Sequence, residues 1–162
     1  METACIALGS NLGNREENLR LAVERIEALD GVRLVATSDF FSTEPVDSPP
    51  GSPDFLNAAV VVETVLPADD LLRALLDIER QLGRRRTDIV PNAPRPIDLD
   101  LLLYGNSIIR TPTLTVPHPR MHTRLFVLEP LTQIAPNLRH PELNRSVHEF
   151  FEELLRANAP HS

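Results

Sequence analysis

The order of apolar segments predicts an α+β fold, a ferredoxin-like βαββαβ antiparallel sheet with a C-terminal extension of helices and a hairpin. Segments with strand and helix patterns follow each other as strand, helix, strand, strand, helix, strand up to Gly105. Two irregular loops interrupt the series, and both are too short to separate domains. The residues after Gly105 extend this unit, so residues 1–162 are expected to form a single domain.

The first half of the unit consists of a strand, a helix and a second strand. Residues Thr3 to Leu8 form a short apolar segment, which the turn sequence "GSNLGN" ends. Asn14 is a suitable N-cap for the next helix, because its side chain can accept a hydrogen bond from an unpaired backbone N–H group. The apolar residues of this helix recur at helical spacing: Leu19, Ala22, Val23, Ile26 and Leu29. A second strand is predicted from Val32 to Ser42.

The second half follows an irregular loop, "TEPVDSPPGSPD", that is rich in Pro, Gly, Ser and Asp. The third strand is "FLNAAVVVETVL". Pro67 suits a helix start and Gly83 a helix end. Between them the apolar residues have helical spacing: Leu71, Leu75, Ile78 and Leu82. A second loop, "RRRTDIVPNAP", leads into the fourth strand, which contains Asp98 and Asp100.

The extension contains "TLTVPHPRMHTRLFVLEPL", which predicts a hairpin followed by short helices. Ser146 and Glu149 form a capping box that predicts the start of the last helix. Five apolar residues of that helix are expected to pack on the domain: Val147, Phe150, Phe151, Leu154 and Leu155.

The composition excludes several classes of function. The net charge of −7 and the pI near 5.2 argue against general nucleic-acid binding, which requires a basic surface. No lysine is present, so a Walker-type phosphate loop is excluded. The single cysteine, Cys5, lies in an apolar segment and is expected to be a buried strand residue. Neither a membrane span nor a signal peptide is visible, and a cytoplasmic protein without membrane contact is expected.

Two carboxylates interrupt the apolar fourth strand, "RPIDLDLLLYG". Because side chains of a strand alternate between faces, Asp98 and Asp100 point the same way, about 6–7 Å apart. They lie either on a solvated face or at a divalent cation site, since a cation would neutralise both charges. Leu102 continues the same face, which is therefore not simply solvated, and Arg95 places a fixed cation beside the acids.

Arginines accompany these carboxylates. The second loop begins with Arg84, Arg85 and Arg86 and ends at Arg95. Such a run is either a solvated loop or part of a phosphoryl-transfer site, in which guanidinium groups and a metal share the phosphate charge. His118, which has Arg124 nearby in sequence, is either structural or part of the same site.

Phe55 and Asn57 share one face of the third strand, immediately after the first loop. Asn57 can both donate and accept hydrogen bonds, which suits the amide-like edge of a heterocycle, and Phe55 can stack on a flat ring. The alternative is that Phe55 belongs to the core and Asn57 caps a strand end.

Six segments, taken in order, resemble the 6-hydroxymethyl-7,8-dihydropterin pyrophosphokinases of folate biosynthesis. They are "ALGSNLGNREENL", "FFSTEPV", "PDFLNAAVVVET", "DIERQLGRRR", "APRPIDLDLLLYG" and "LTVPHPRMHTRLFVLEPL". The resemblance runs from Cys5 to Pro136 and is most specific in the last two segments. Asn92 and Ala93 depart from it, since some members have a Trp-Gly pair there.

The resemblance implies four groups of site residues, some of which overlap. Two Mg²⁺ ions would bind Asp98 and Asp100 together with the ATP phosphates. The residues implied in ATP binding are Glu79, Arg84, Arg86, Arg95, His118 and Arg124. The implied catalytic residues are Arg84, Arg95, Asp98 and Asp100. The pterin would be held by Thr43, Val46, Phe55, Asn57 and Phe126.

The resemblance also implies the reaction. Pyrophosphate would move from ATP to the hydroxymethyl group of 6-hydroxymethyl-7,8-dihydropterin, and AMP would be released. These two small molecules are then the expected partners, and no obligate protein partner is evident. Two other functions stay open: a ferredoxin-like regulatory module that binds a ligand without turnover, and a nucleotidyltransferase. In nucleotidyltransferases the Gly-Ser and D-x-D features lie close in sequence, whereas Gly9 and Asp98 are far apart here.

Overall fold

A computed structural model describes residues 1–43, 54–83 and 96–158 of the chain. Five of the predicted loop residues lie outside these ranges: Val46, Arg84, Arg85, Arg86 and Arg95. The departing residues Asn92 and Ala93 also lie outside them.

Five antiparallel strands form the main sheet of the described ranges. They are β1 (Glu2–Ser10), β2 (Val32–Thr37), β3 (Phe41–Thr43), β4 (Phe55–Thr64) and β5 (Asp98–Tyr104). The strand order is β2-β4-β1-β5, and the short β3 pairs with β4. This arrangement confirms the predicted ferredoxin-like fold.

Helices cover both faces of the sheet. The two helices of the βαββαβ unit are α1 (Arg15–Glu27) and α2 (Ala68–Gln81), and they share one core with Ile6 and Leu8 of β1. The extension supplies α3 (Leu125–Ile134) and α4 (Val147–Ala157), which share a second core with Cys5. Two short strands, β6 (Ile109–Arg110) and β7 (Thr115–Val116), form the predicted hairpin. The helices α1 and α2 therefore pack on the same face of the sheet.

The predicted helix ends agree with the structure. Asn14 accepts a hydrogen bond from the Glu17 backbone N–H at 3.1 Å and caps α1. Gly83 follows α2 with φ of 104°, a conformation that a Cβ atom disfavours. Ser146 and Glu149 bond reciprocally to each other's backbone N–H groups and begin α4.

The predicted second strand is wrong in one respect, because it is broken into β2 and β3. Ser38 lies at the break, where its hydroxyl accepts from the Ala59 N–H at 2.9 Å and donates to its neighbour, the Asp39 carbonyl. The side chain thus takes a place in the ladder that a backbone carbonyl fills in a regular strand. β3 begins after this corner with an independent register on β4.

The prediction that Leu155 of the last helix packs on the domain is also wrong. Val147 and Phe150 are buried, whereas Leu155 is 41% exposed. Leu155 lies about 90° around the helix from the centre of the apolar stripe and therefore faces outward. Cys5 is fully buried as predicted, and burial raises the pKa of its thiol to about 12, which disfavours the reactive thiolate form. Within the described ranges, the helices are too short or too polar to cross a bilayer.

Candidate active site

One row of residues crosses the sheet and joins two predicted binding regions. Gly9 of β1 lies opposite Asn57 of β4 on one side and opposite Asp98 of β5 on the other. Residues directly opposite each other in antiparallel strands share a face. Asn57 and Asp98 therefore lie on the same face. Their Cα atoms are about 10 Å apart, which is two strand spacings. The register thus places the predicted pterin-binding amide and the predicted metal-binding carboxylate on one face, with a single strand, β1, between them.

The central strand carries only small residues between them. Gly9 lies in the Asn57–Asp98 row, and Ala7 lies opposite Asp100 in the next row. A Cβ atom on Gly9 would be 3.3 Å from Asn57 Oδ1 and 3.5 Å from Phe55 Cδ1. The absence of a side chain at Gly9 thus lets Asn57 and Phe55 lie close against the backbone of β1. Sequence reasoning did not assign Gly9 to the site, although a glycine ending an apolar strand is a signal for close approach.

The face that carries this row changes character along β5. Leu102 is 1% exposed and belongs to the core shared with α3 and α4, whereas Asp98 and Asp100 are partly exposed. The prediction that this face is not simply solvated is confirmed for the inner part of the strand, where Leu102 lies. A bulge at Leu102, where Cys5 pairs with Leu103 and Ile6 with Leu101, marks the inner end.

Three predicted pterin residues meet at the β3–β4 pair. Asn57 is 5% exposed, and its Nδ2 donates to Thr43 Oγ1 at 2.6 Å. Thr43 in turn lies opposite Phe55 in the strand register. The amide of Asn57 is thus joined to a side chain of the neighbouring strand β3. This bond fixes the orientation of the amide before any ligand arrives.

Phe126 and Arg124 lie at the start of α3. The guanidinium carbon of Arg124 is 5.6 Å from the centroid of the Phe126 ring, within the range of a cation–π contact. Phe126 is partly buried against the core of α3 and α4. This contact holds a positive charge beside the aromatic ring that the sequence predicts to stack on the pterin.

His118 is attached to the same strand as the two aspartates. Its backbone N–H donates to the Leu102 carbonyl at 2.8 Å. Its Nδ1 accepts from the Arg120 N–H at 3.2 Å, which leaves Nε2 to carry the proton of a neutral ring. Burial lowers the pKa of His118, Arg124 and Arg120 lower it further, and Asp98 opposes them. A neutral imidazole that donates from Nε2 suits a phosphate oxygen.

Glu79 contacts the strand that carries Asp98 and Asp100. It lies on α2, is 2% exposed, and accepts a hydrogen bond from the Leu99 N–H at 2.8 Å. Leu99 is the residue between Asp98 and Asp100. The predicted ATP-binding role of Glu79 stays a prediction.

The donor set of the site fits Mg²⁺. Among the described residues, no three His, Cys, Asp or Glu side chains gather in a cluster that could hold a metal ion. Asp98 and Asp100 supply two carboxylates on one face. Mg²⁺ binds one or two protein carboxylates and completes its coordination with substrate phosphates and water. The site therefore suits an ion that arrives with a nucleotide.

Comparisons with known proteins show the family of the chain. The sequence profile of the 7,8-dihydro-6-hydroxymethylpterin-pyrophosphokinase (HPPK) family matches residues 5–136. The chain belongs to this family. A 2-amino-4-hydroxy-6-hydroxymethyldihydropteridine pyrophosphokinase of Haemophilus influenzae is 42% identical over 161 residues, covering 99% of this chain and 96% of that protein. The enzyme of the same name from Bacillus subtilis is 45% identical over 132 residues, which are 82% of this chain and 77% of that protein.

Structural similarity extends to a longer HPPK protein. The crystal structure of wild-type Plasmodium falciparum HPPK-DHPS with pteroate matches 96% of this chain with a TM-score of 0.74. The sequence identity is 14%, so this match supports the fold alone. The chain spans 42% of that structure.

Membership of the HPPK family confirms the resemblance predicted from the sequence. The chain is a pyrophosphokinase that transfers a pyrophosphoryl group from ATP to hydroxymethyldihydropterin in folate synthesis. The structure brings one set of predicted site residues together on one sheet face or at its rim: Thr43, Phe55, Asn57, Asp98, Asp100, His118, Arg124 and Phe126.

Proposed function

We propose that the chain binds the pterin at the β4 end of the Asn57–Gly9–Asp98 row and the triphosphate of ATP at the β5 end. The hydroxymethyl oxygen then attacks the β-phosphorus, the bond to the α-phosphate oxygen breaks, and AMP leaves. The observation that carries this proposal is the register of β1, which sets Asn57 and Asp98 on either side of Gly9. The catalytic groups act mainly by positioning and charge stabilisation.

The pterin end uses a preformed amide. Thr43 holds the Nδ2 of Asn57, and the amide then reads the polar edge of the ring. Phe55 and Phe126 stack on its two faces, and Val46 lines the pocket. With its amide edge toward β4, the ring directs its hydroxymethyl group toward Asp98 and Asp100.

The phosphate end uses carboxylates and cations. Asp98 and Asp100 would hold two Mg²⁺ ions, and such ions would supply neutralisation of phosphate charge when bound with ATP. Arg84, Arg86 and Arg95 take the remaining charge of the triphosphate, and Arg84 and Arg95 act catalytically with the two aspartates. Arg124 and the Nε2 of His118 reach the same phosphates, and Glu79 lies near the nucleotide.

Residues 1–162 form one pyrophosphokinase domain in this proposal, with ATP and the pterin as its partners. The core of α1 and α2 and the core of α3 and α4 pack on opposite faces of the same sheet. The predicted cytoplasmic location stays a prediction.

The products of the reaction test the proposal. The protein is incubated with ATP, Mg²⁺ and the reduced hydroxymethylpterin, and the products are measured by mass spectrometry. AMP and a pterin diphosphate in equal amounts are expected. ADP with a pterin monophosphate would contradict β-attack, and free pyrophosphate with an adenylylated pterin would indicate a nucleotidyltransferase. A folded protein without turnover would favour the regulatory module.

A further inference from the structure

Glu79 is an acidic residue in an apolar core. It is 2% exposed on the face of α2 that also buries Leu75 and Ile78. Burying a carboxylate is costly unless hydrogen bonds compensate for the lost water. The Oε2 of Glu79 accepts the Leu99 N–H at 2.8 Å, which provides such compensation. A hydrophobic residue of similar size would fill the same space without this cost, so the carboxylate calls for a further explanation.

The place of the Leu99 N–H group in the sheet gives one explanation. β5 is the last strand of the described sheet path, with β1 as its neighbour there. The Leu99 N–H is bonded by a helix side chain and not by another strand. Leu99 points into the core of α1 and α2, while Asp98 and Asp100 point to the opposite face. The bond therefore fixes the Asp98–Leu99 peptide group from the helix side of the sheet, away from the two aspartate side chains.

We propose that Glu79 is a positioning residue, which orients Asp98 and Asp100 for metal binding by anchoring the Leu99 N–H group. This inference rests on the proposed function, because it takes the two aspartates as the metal ligands. Partners that orient metal ligands commonly change metal affinity or activity by about 10- to 100-fold when they are removed. The anchor also restricts the one residue that separates the two carboxylates, and so limits how far they can move apart.

Two substitutions separate the hydrogen bond from the charge. Glu79→Gln keeps an oxygen that can accept the Leu99 N–H, and it removes the charge. Glu79→Met fills a similar volume and removes both. Ile78→Ala is the matched control, because it destabilises the same helix and leaves the hydrogen bond to Leu99 in place.

The readout is binding of Mn²⁺, measured by electron paramagnetic resonance with a non-hydrolysable ATP analogue, together with hydrogen exchange of the Leu99 amide. We expect Glu79→Met to weaken Mn²⁺ binding by about tenfold or more and to speed the exchange of Leu99. Glu79→Gln should restore most of both properties. Ile78→Ala should lower the melting temperature and leave Mn²⁺ binding within about twofold of the wild type. If Glu79→Met does not fold, Glu79→Asp, which is shorter by one methylene, should show the same weakening.

Other outcomes have distinct meanings. Unchanged Mn²⁺ binding in a folded Glu79→Met or Glu79→Asp protein would overturn the inference. A loss of affinity for the ATP analogue without metal, at unchanged Mn²⁺ binding, would overturn it in favour of direct nucleotide contact. Wild-type protein that binds no Mn²⁺ with the analogue would instead contradict the proposed metal site and, with it, this inference. If Ile78→Ala weakened Mn²⁺ binding as much as Glu79→Met does, the inference would be overturned, because Glu79 would then only stabilise the fold.

Discussion

The two ends of the Asn57–Gly9–Asp98 row are built differently. At the β4 end, Asn57 is nearly buried and already bonded to Thr43. At the β5 end, two carboxylates of like charge lie partly exposed on adjacent rows of the sheet. A neutral heterocycle is recognised best by polar groups fixed in advance, because fixing them costs less on binding. Phosphate and metal charge can instead offset the repulsion between carboxylates, so ligands are expected to stabilise this end more than the β4 end.

The largest expected effect is at the β5 end. Asp98→Asn should lower kcat by more than about 100-fold, because the metal supplies several kcal/mol of charge stabilisation. Without metal, the melting temperature should stay the same or rise, since a like-charge neighbour is removed. Activity assays and thermal unfolding with and without Mg²⁺ measure both effects.

A charge-matched control accompanies this variant. Asp30→Asn makes the same change of charge in the exposed turn after α1 and should leave turnover intact. Full activity in Asp98→Asn would end the interpretation of the pair as metal ligands.

The β4 end should respond to Asn57→Ala. We expect pterin binding to weaken by about 1–3 kcal/mol, the usual loss when a buried polar partner is left unpaired. Binding of a non-hydrolysable ATP analogue should hardly change, which would show that the two ends act separately. Titration calorimetry with each ligand measures this. Equal losses for both ligands would mean that Asn57 only supports the fold.

A smaller effect is expected from the corner that leads into β3. The Asp39 N–H donates to Gln133 Oε1 at 2.7 Å, and Gln133 Nε2 donates to Asp39 Oδ2 at 2.6 Å. These bonds tie α3 to the segment that carries Thr43. Because both residues are exposed, Gln133→Ala should cost about 1 kcal/mol of stability and raise the pterin KM about two- to fivefold.

Another exposed glutamine serves as the control for this variant. Gln81→Ala removes the bond from Arg25 at 2.6 Å, which joins α1 to α2. It should cost similar stability and leave the pterin KM unchanged. If the pterin KM rises in both variants, the rise in Gln133→Ala results from lost stability and not from the contact with the β3 segment.

The smallest effect concerns pH. Because the pKa of His118 is lowered in the folded state, the unfolded chain binds a proton at higher pH than the folded protein. The free energy of unfolding should therefore fall as the pH drops below about 6.5, and level off below the folded pKa. Solvent screening at this partly exposed ring keeps the slope well under about 1.4 kcal/mol per pH unit.

Denaturant unfolding at several pH values checks this prediction. His118→Gln should reduce the slope. Part of the pH dependence of the free energy of unfolding should remain, because burial also lowers the pKa of His140. An unchanged slope in the variant would show that His118 does not contribute.

Local signals in the sequence determined the elements and the family. The caps at Asn14 and Ser146, the apolar stripes of the helices and the turn at Gly83 depend on residues within a few positions of each other, so they are readable without a fold. The six ordered segments determined family membership in the same way. They also pointed to Asn57 and Asp98 as members of one site.

Only the tertiary structure decided how these residues meet. Gly9 and Asp98 are far apart in sequence, yet they are direct neighbours in the β1–β5 register. Register depends on packing between strands that are distant along the chain, and no local pattern encodes it. The break at Ser38 and the bond from Glu79 to Leu99 arise in the same way, because each joins a side chain to the backbone of a different element.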